Sequence, residues 1–215
     1  MQRTDRFEAF PEADPSVVAR QIAHLKQRAD LVVYAAPHLM ATEAQEVRRQ
    51  VLVTHGVDFE RFVEAGSDAA LGAAPPADLA HLPRPRVGTF VGRKPYDEVA
   101  NYMAAVDCLI MPWNESDWIK ACNPIKLKEY LAVGKPVVTT DFAALEGWRD
   151  LVTVARGAEA FETAIRSALA APGDALVRRL RVSGEGWDAK AELVARSMLD
   201  LGLAFDGVET KREAA

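Results

Sequence analysis

The chain is poor in the features that mark several large classes of protein. Cys108 and Cys122 are its only cysteines, which is too few for a disulfide framework or a thiolate metal site, so we expect reduced thiols in a cytoplasmic compartment. No apolar run approaches the roughly 18 residues of a membrane span, and the first residues lack the apolar core of a signal peptide. We therefore expect a cytoplasmic protein whose membrane contact, if it has any, is peripheral.

Charge and composition narrow the choice further. The net charge is −5 and the pI is near 5.5, which argues against a nucleic-acid surface in spite of the basic cluster Arg178, Arg179 and Arg181. Apolar residues make up 49% of the 215 residues, enough to bury the core of one large domain or of one and a half small ones. The sequence therefore predicts a globular chain that does not bind nucleic acid.

Helical and strand-like segments alternate along the chain. Residues 31–35 and 51–54 are typical of buried strands, and the segments before them, 16–29 and 37–49, have the spacing of helices. Residues 64–86 are rich in Gly and Pro, which predicts a linker. The predictions that follow are strand 87–91, helix 96–106, strands 108–112, 136–140 and 151–154, and helices 158–171 and 187–203. This alternation predicts an α/β fold with a Rossmann-like parallel sheet and helices on both faces.

The most informative predicted helix lies in the middle of the chain and is suited to receive an anion. Asn123 suits the N-cap, Pro124 suits the first helical position, and Gly134 supplies a stop. Free N–H groups at the helix start and Lys126 in the first turn favour a phosphate, and Glu129 can accept hydrogen bonds from hydroxyl groups. A phosphate with vicinal hydroxyls indicates a nucleotide. The alternative is an ordinary capped helix in which Lys126 and Glu129 form a solvated ion pair.

Three ordered motifs together resemble a known family. They begin Thr-His-Gly-Val-Asp-Phe (54–62), Phe-Val-Gly-Arg-Lys-Pro-Tyr (90–112) and Asn-Pro-Ile-Lys-Leu-Lys-Glu-Tyr (123–138). The combination is similar to the bacterial GT-B-fold glycosyltransferases of the glycosyl transferases group 1 type, which build envelope polysaccharides from nucleotide-activated sugars. The resemblance implies a sugar donor of the UDP or GDP type, an envelope polysaccharide or glycolipid acceptor at the inner face of the cytoplasmic membrane, and no cofactor.

The resemblance also implies that parts of the family's fold are missing. Residues 1–63 resemble the end of the acceptor-side N-terminal domain, 64–86 a linker, 87–186 a shortened nucleotide-sugar-binding domain, and 187–215 the C-terminal helix and tail. We therefore expect a copy that is truncated at the N-terminus and internally deleted, with the loss of a loop that normally carries basic residues for the donor diphosphate. Missing strands would leave apolar edges, which favours a homo-oligomer or a complementing chain.

The roles of individual residues follow from the same resemblance. Glu129 is expected to bind the ribose. The expected diphosphate contacts are Asn123, Pro124, Ile125 and Lys126, the expected base contacts are Gly92, Arg93, Lys94 and Pro95, and the loop on the sugar side contains Asn114 and Glu115. The family has another glutamate eight positions before Glu129, where this chain has Ala121. No catalytic residue can therefore be assigned, and we predict no metal site because GT-B enzymes need no acidic metal-binding pair.

Two alternatives to an active transferase stay open. One is a non-catalytic nucleotide-binding remnant, or a binding module that depends on a partner. The other is an unrelated flavodoxin-like or signalling α/β domain, but such a domain would carry an early Gly- or Asp-rich loop, which is not visible here.

Overall fold

The computed structural model describes residues 1–10, 12–67 and 92–202, and over these residues the chain forms two three-stranded parallel sheets. The strands are Gln2–Arg3 (β1), Val32–Tyr34 (β2), Gln50–Leu52 (β3), Leu109–Met111 (β4), Val137–Thr139 (β5) and Thr153–Val154 (β6). Nine described α-helices accompany them: Pro15–Arg28 (α1), Pro37–Glu43 (α2), Phe59–Ala65 (α3), Tyr96–Ala104 (α4), Asp117–Ala121 (α5), Ile125–Val133 (α6), Ala158–Ala170 (α7), Ala175–Val182 (α8) and Trp187–Leu199 (α9). The predicted strand 87–91 and most of the predicted linker lie outside the described residues.

The first sheet has the order β1-β2-β3, and Val33 pairs with Gln2 on one side and with Val51 on the other. Helix α1 connects β1 to β2, and it begins where the Asp14 carboxylate accepts hydrogen bonds from two backbone N–H groups. Helix α2 follows β2 and ends earlier than predicted. The prediction of a helix over 37–49 is wrong in its second half, because Glu43 and Glu46 turn toward the buried Lys26 ammonium. The two-residue strand β1 was too short to be predicted from periodicity.

The second sheet has the order β4-β5-β6 and carries helices on both faces. Leu109, Met111 and Val137 pack into the largest apolar cluster, which also contains residues of α4 and α6. On the opposite face, Val138 packs against Ala164 and Ala168 of α7. The predicted Rossmann-like parallel arrangement is therefore confirmed, although each strand is shorter than its predicted range.

Helix α8 was not predicted, and it buries arginines while it exposes leucines, the reverse of what its sequence pattern predicts. Arg178 is 8% exposed, whereas Leu176 and Leu180 are 59% and 65% exposed. The Arg178 guanidinium donates to the carbonyl of Gly134, and that of Arg179 donates to the carbonyl of Val133. The arginines thus satisfy carbonyl groups at the carboxyl end of α6, where a helix carries partial negative charge.

The chain leaves the first sheet through residues 53–58 and returns toward it through residues 183–186. These two passages lie side by side. Val57 forms a parallel bridge with Gly186, and the Val57 N–H donates to the carbonyl of Glu185 at 3.0 Å. Gly56 leaves no room for a side chain, since a Cβ there would lie 2.6 Å from the Trp187 ring. Helix α9 then returns to the first sheet. None of the described helices is both long enough and apolar enough to cross a membrane.

Candidate functional site

Helix α6 is the predicted anion-binding helix, and its two ends differ in how well they were predicted. Gly134 ends the helix with φ = 87°, a left-handed conformation that glycine adopts at little cost. At the other end Pro124 is the N-cap residue and supplies no side-chain cap. The prediction that Asn123 caps the helix is wrong, because the Asn123 side chain donates instead to the carbonyl of Ala35 at 2.9 Å. The first N–H groups of α6 therefore donate no hydrogen bond to an N-cap side chain.

Glu129 is a buried carboxylate one turn into α6. The residue is 1% exposed, its Oε2 accepts a hydrogen bond from Lys126 Nζ at 2.7 Å, and its Oε1 lies 3.4 Å from the Tyr96 hydroxyl. Lys126 itself is 43% exposed on its side chain. The ion pair between Lys126 and Glu129 exists as the alternative interpretation supposed, but only its lysine is solvated.

Tyr96 was not recognised from the sequence as a site residue. Burial and the nearby Glu129 carboxylate raise the pKa of Tyr96, which keeps its hydroxyl protonated and able to donate. Its ring contacts Phe62 edge to face at 6.2 Å between centroids, and the Arg61 guanidinium lies 5.5 Å from its centroid. The available signal was its position directly after Pro95, at the end of the predicted base-binding turn.

A groove of about 700 Å³ lies at the amino end of α6, and Tyr96 and Ile125 contribute to its lining. The first residues of α3, α4, α6 and α9 contribute to its lining, and none of these helices has a side-chain cap. Acidic residues occupy the first turns of the other three, but α6 has none there and carries Lys126 instead. The amino end of α6 is therefore the position in this groove that best suits an anion.

The predicted base-binding turn lies on the same side of the fold as Glu129. Gly92 has φ = 68°, Arg93 is exposed, and Pro95 is the residue before α4. The Lys94 ammonium lies 5.0 Å from the centroid of the Tyr102 ring. Since Tyr96 follows this turn and reaches Glu129, the structure brings the turn and α6 together.

The predicted sugar-side loop lies elsewhere. Asn114 and Glu115 line a separate recess of about 300 Å³, together with Asp141, Arg149 and Arg156. Glu115 is 77% exposed on its side chain, and its carboxylate lies 3.7 Å from the Arg156 guanidinium. These residues follow strands β4, β5 and β6, at the edge where open α/β sheets usually bind ligands. The structure does not bring them to the groove in front of α6.

Two further positions have structural explanations. Ala121 is 1% exposed and belongs to the apolar cluster of the first sheet, with Ala36 and Leu39. No carboxylate is therefore present where the resembling family has its other glutamate. Cys122 is partly buried, and burial raises the pKa of its thiol to about 11, so it is a poor nucleophile at neutral pH. The described residues contain no group of three acidic, His or Cys side chains that could hold a metal ion.

Comparison with known proteins finds similarity to a family model, to a curated protein and to solved structures. Residues 65–171 match the family model described as glycosyl transferases group 1. A protein of Bacillus subtilis (strain 168) that is named as a teichuronic acid biosynthesis glycosyltransferase, TuaH, is 39% identical over 80 residues, which are 37% of this chain and 19% of TuaH. Sucrose-phosphate synthase from Thermosynechococcus elongatus superposes with a TM-score of 0.65 and 17% identity, over 87% of this chain and 62% of that one. The chain thus spans about a fifth of the curated relative that it matches.

Proposed function

Because the chain is a relative of the GT-B-fold glycosyltransferases, we propose that it binds a nucleoside diphosphate sugar of the UDP or GDP type and takes part in transferring the sugar. The proposed acceptor is a polysaccharide or glycolipid of the cell envelope, since the relative TuaH is named for teichuronic acid biosynthesis. The proposed place is the cytoplasm, at the inner face of the membrane, and the proposed chemistry uses no cofactor or metal.

The observation that carries this proposal is the buried carboxylate of Glu129 beside the uncapped amino end of α6. Ribose presents two neighbouring hydroxyl groups, which a carboxylate binds well through charge-assisted hydrogen bonds. The pyrophosphate then falls within reach of the first N–H groups of α6, about one helical turn away. The spacing between the carboxylate and the helix start therefore matches a nucleoside diphosphate.

Lys126 links the two parts of the proposed site. In this structure its ammonium donates to the Glu129 carboxylate at 2.7 Å. Ribose hydroxyls that donate to Glu129 replace this bond, and the half-exposed lysine is then free to turn toward the pyrophosphate. Positive charge at that position stabilises the diphosphate as it leaves the sugar, which is the contribution that lowers the barrier to transfer.

Thermal unfolding with and without nucleotide tests the proposal. A nucleotide at 100 times its Kd stabilises the folded state by about 2.7 kcal/mol, which raises the Tm of a chain of this size by roughly 5–11 °C. We expect UDP or GDP to produce such a shift in the wild type, and Glu129→Gln to remove most of it. Glu162→Gln is the matched control, because Glu162 forms an exposed i,i+4 pair with Arg166 on α7. Equal shifts in both variants, or no shift with either nucleotide, would contradict the proposal.

A second candidate function is nucleotide binding without transfer, and Ala121 favours it. The position offers a buried methyl group and no carboxylate to the sugar, so a complementing chain or a second copy would have to supply the acceptor side. Release of UDP or GDP from the sugar nucleotide, measured for the chain alone, separates the two functions. Binding without release supports the second.

A further inference from the structure

A buried cluster of charged groups surrounds Lys128 of α6, beside the two passages. The Lys128 ammonium is only 3% exposed on its side chain, and it donates to Thr54 Oγ1 at 2.8 Å, to the backbone carbonyl of His55 and to Glu185 Oε2 at 2.5 Å. An ammonium group has three protons, so its donor capacity is fully used. Glu185 Oε2 also accepts a hydrogen bond from Lys190 Nζ at 2.8 Å.

The electrostatics of this cluster favour the charged forms together. Burial alone would raise the pKa of Glu185, but hydrogen bonds from Lys128 and Lys190 outweigh it and hold the pKa below its usual value. Burial lowers the pKa of Lys128, and the bond to Glu185 opposes that shift. Removing Glu185 would leave the buried Lys128 ammonium without its counter-charge, which is far more costly than breaking an exposed pair. Removing Lys128 would leave Glu185 paired with Lys190.

The partners of Lys128 belong to both passages between the two sheets. Thr54 and His55 lie in the first passage, and Glu185 lies in the second, directly before the bridge between Val57 and Gly186. Lys128 is the neighbour of Glu129 in sequence, but the two side chains leave the helix in different directions. Helix α6 therefore meets the groove with its first residue, Ile125, and meets the two passages with Lys128.

We propose that Lys128 is a positioning residue that ties both passages to α6, so that a nucleotide held at the amino end of the helix strengthens the attachment of the first sheet. The coupling rests on the proposed function, whereas the tie itself does not. A ligand that orders α6 would also order the Lys128 ammonium and, through it, residues 53–58. By linkage, firm attachment of the first sheet would favour the nucleotide to the same degree.

Hydrogen exchange followed by mass spectrometry tests both parts. The reporter is the segment 53–58, whose Val57 N–H is bonded to the Glu185 carbonyl. We expect Lys128→Met to speed exchange of this segment roughly tenfold or more, since a hydrogen bond to a charged group is worth at least that factor in an opening equilibrium. Exchange within α6 should change much less. Lys190→Met is the control, because it removes a bond to the same Glu185 oxygen from α9 without touching Thr54 or His55.

The second arm adds UDP, and in parallel GDP. Because Val57 and Asp58 line the groove, the reporter in this arm is residues 53–56, where the Val53 N–H donates to the carbonyl of Tyr34. In the wild type we expect a nucleotide that protects α6 to protect 53–56 as well, and in Lys128→Met to protect α6 alone. If Lys128→Met does not fold, Thr54→Val removes one acceptor in a nearly isosteric way and takes its place. Unchanged exchange at 53–58 without nucleotide overturns the tie, and nucleotide protection that still reaches 53–56 in the variant overturns the coupling. If neither nucleotide protects α6 in the wild type, the proposed function and the coupling fail together, and the nucleotide-free comparison decides the tie.

Discussion

Because Arg178 of α8 is buried, its replacement should destabilise the fold measurably. Arg178 donates through Nε and Nη2 to the carbonyl of Gly134 at 3.1 and 3.0 Å, and through Nη2 to the carbonyl of Pro172 at 2.8 Å. Arg178→Met keeps the aliphatic part of the side chain but leaves these carbonyls without their donor. Hydrogen bonds from a charged group contribute about 1.5–3 kcal/mol each, and part of that is recovered because a buried charge is removed. We expect a loss of about 3 kcal/mol in the free energy of unfolding.

The matched control lies one turn along the same helix. Arg181 pairs with Asp150 at the surface, where the two side chains are 46% and 60% exposed, so Arg181→Met should cost about 0–1 kcal/mol. Urea and thermal unfolding measured by circular dichroism give both values, and 3 kcal/mol corresponds to a Tm lower by roughly 6–12 °C. Equal losses in the two variants, or a loss below about 1 kcal/mol for Arg178→Met, would refute the argument that α8 holds α6 through its buried guanidinium.

Two further predictions concern acid stability and backbone strain. Burial tends to raise the pKa of Glu43, but hydrogen bonds from Arg3 and Lys26 outweigh it and keep the pKa below its usual value of 4.5. The stabilising contribution of Glu43 is therefore complete above about pH 4.5 and is lost as the pH falls through the lowered pKa. Glu43→Gln should lose less stability than the wild type in an acid titration. Parallel titration curves would contradict this. Gly134 and Gly147 have φ of 87° and 85°, but only at Gly134 would a Cβ meet a guanidinium nitrogen, at 2.9 Å. Both Ala variants should lose about 1–2 kcal/mol of unfolding free energy to backbone strain, and in urea unfolding the loss should be larger for Gly134→Ala. Equal losses would mean that the Arg179 side chain moves aside at no cost.

The parts of the fold that depend on local chemistry could be predicted from the sequence. Val137–Thr139 is an apolar β-branched run between Pro and a loop, and Gly134 stands where a helix must stop. The α6 helix and its Glu129 were found because cap, stop and charged residues fall at fixed offsets. Such signals involve only a few neighbouring residues, so they can be recognised without knowledge of the tertiary structure.

Other features depend on partners far away in sequence. Asn123 suits an N-cap by its local sequence, but its side chain donates instead to the backbone carbonyl of Ala35, directly after β2. The sequence around Lys128 does not indicate burial, but the Lys128 ammonium is buried against Thr54 in one passage and Glu185 in the other. The apolar stripe of α8 predicts the wrong inner face, because carbonyl groups of α6 select its arginines. In each case a hydrogen-bonding need of another element outweighs local preference.

The junction between the passages also sets an order of folding. Thr54 pairs with Glu185, 131 residues later, and Arg49 pairs with the carbonyl of Asp200, 151 residues later. The first sheet is complete once residue 52 has been synthesised, but these closing contacts must wait for residues 185 and 200. Contacts of such long sequence separation form slowly. Until they form, the side of the first sheet that later receives α9 stays uncovered.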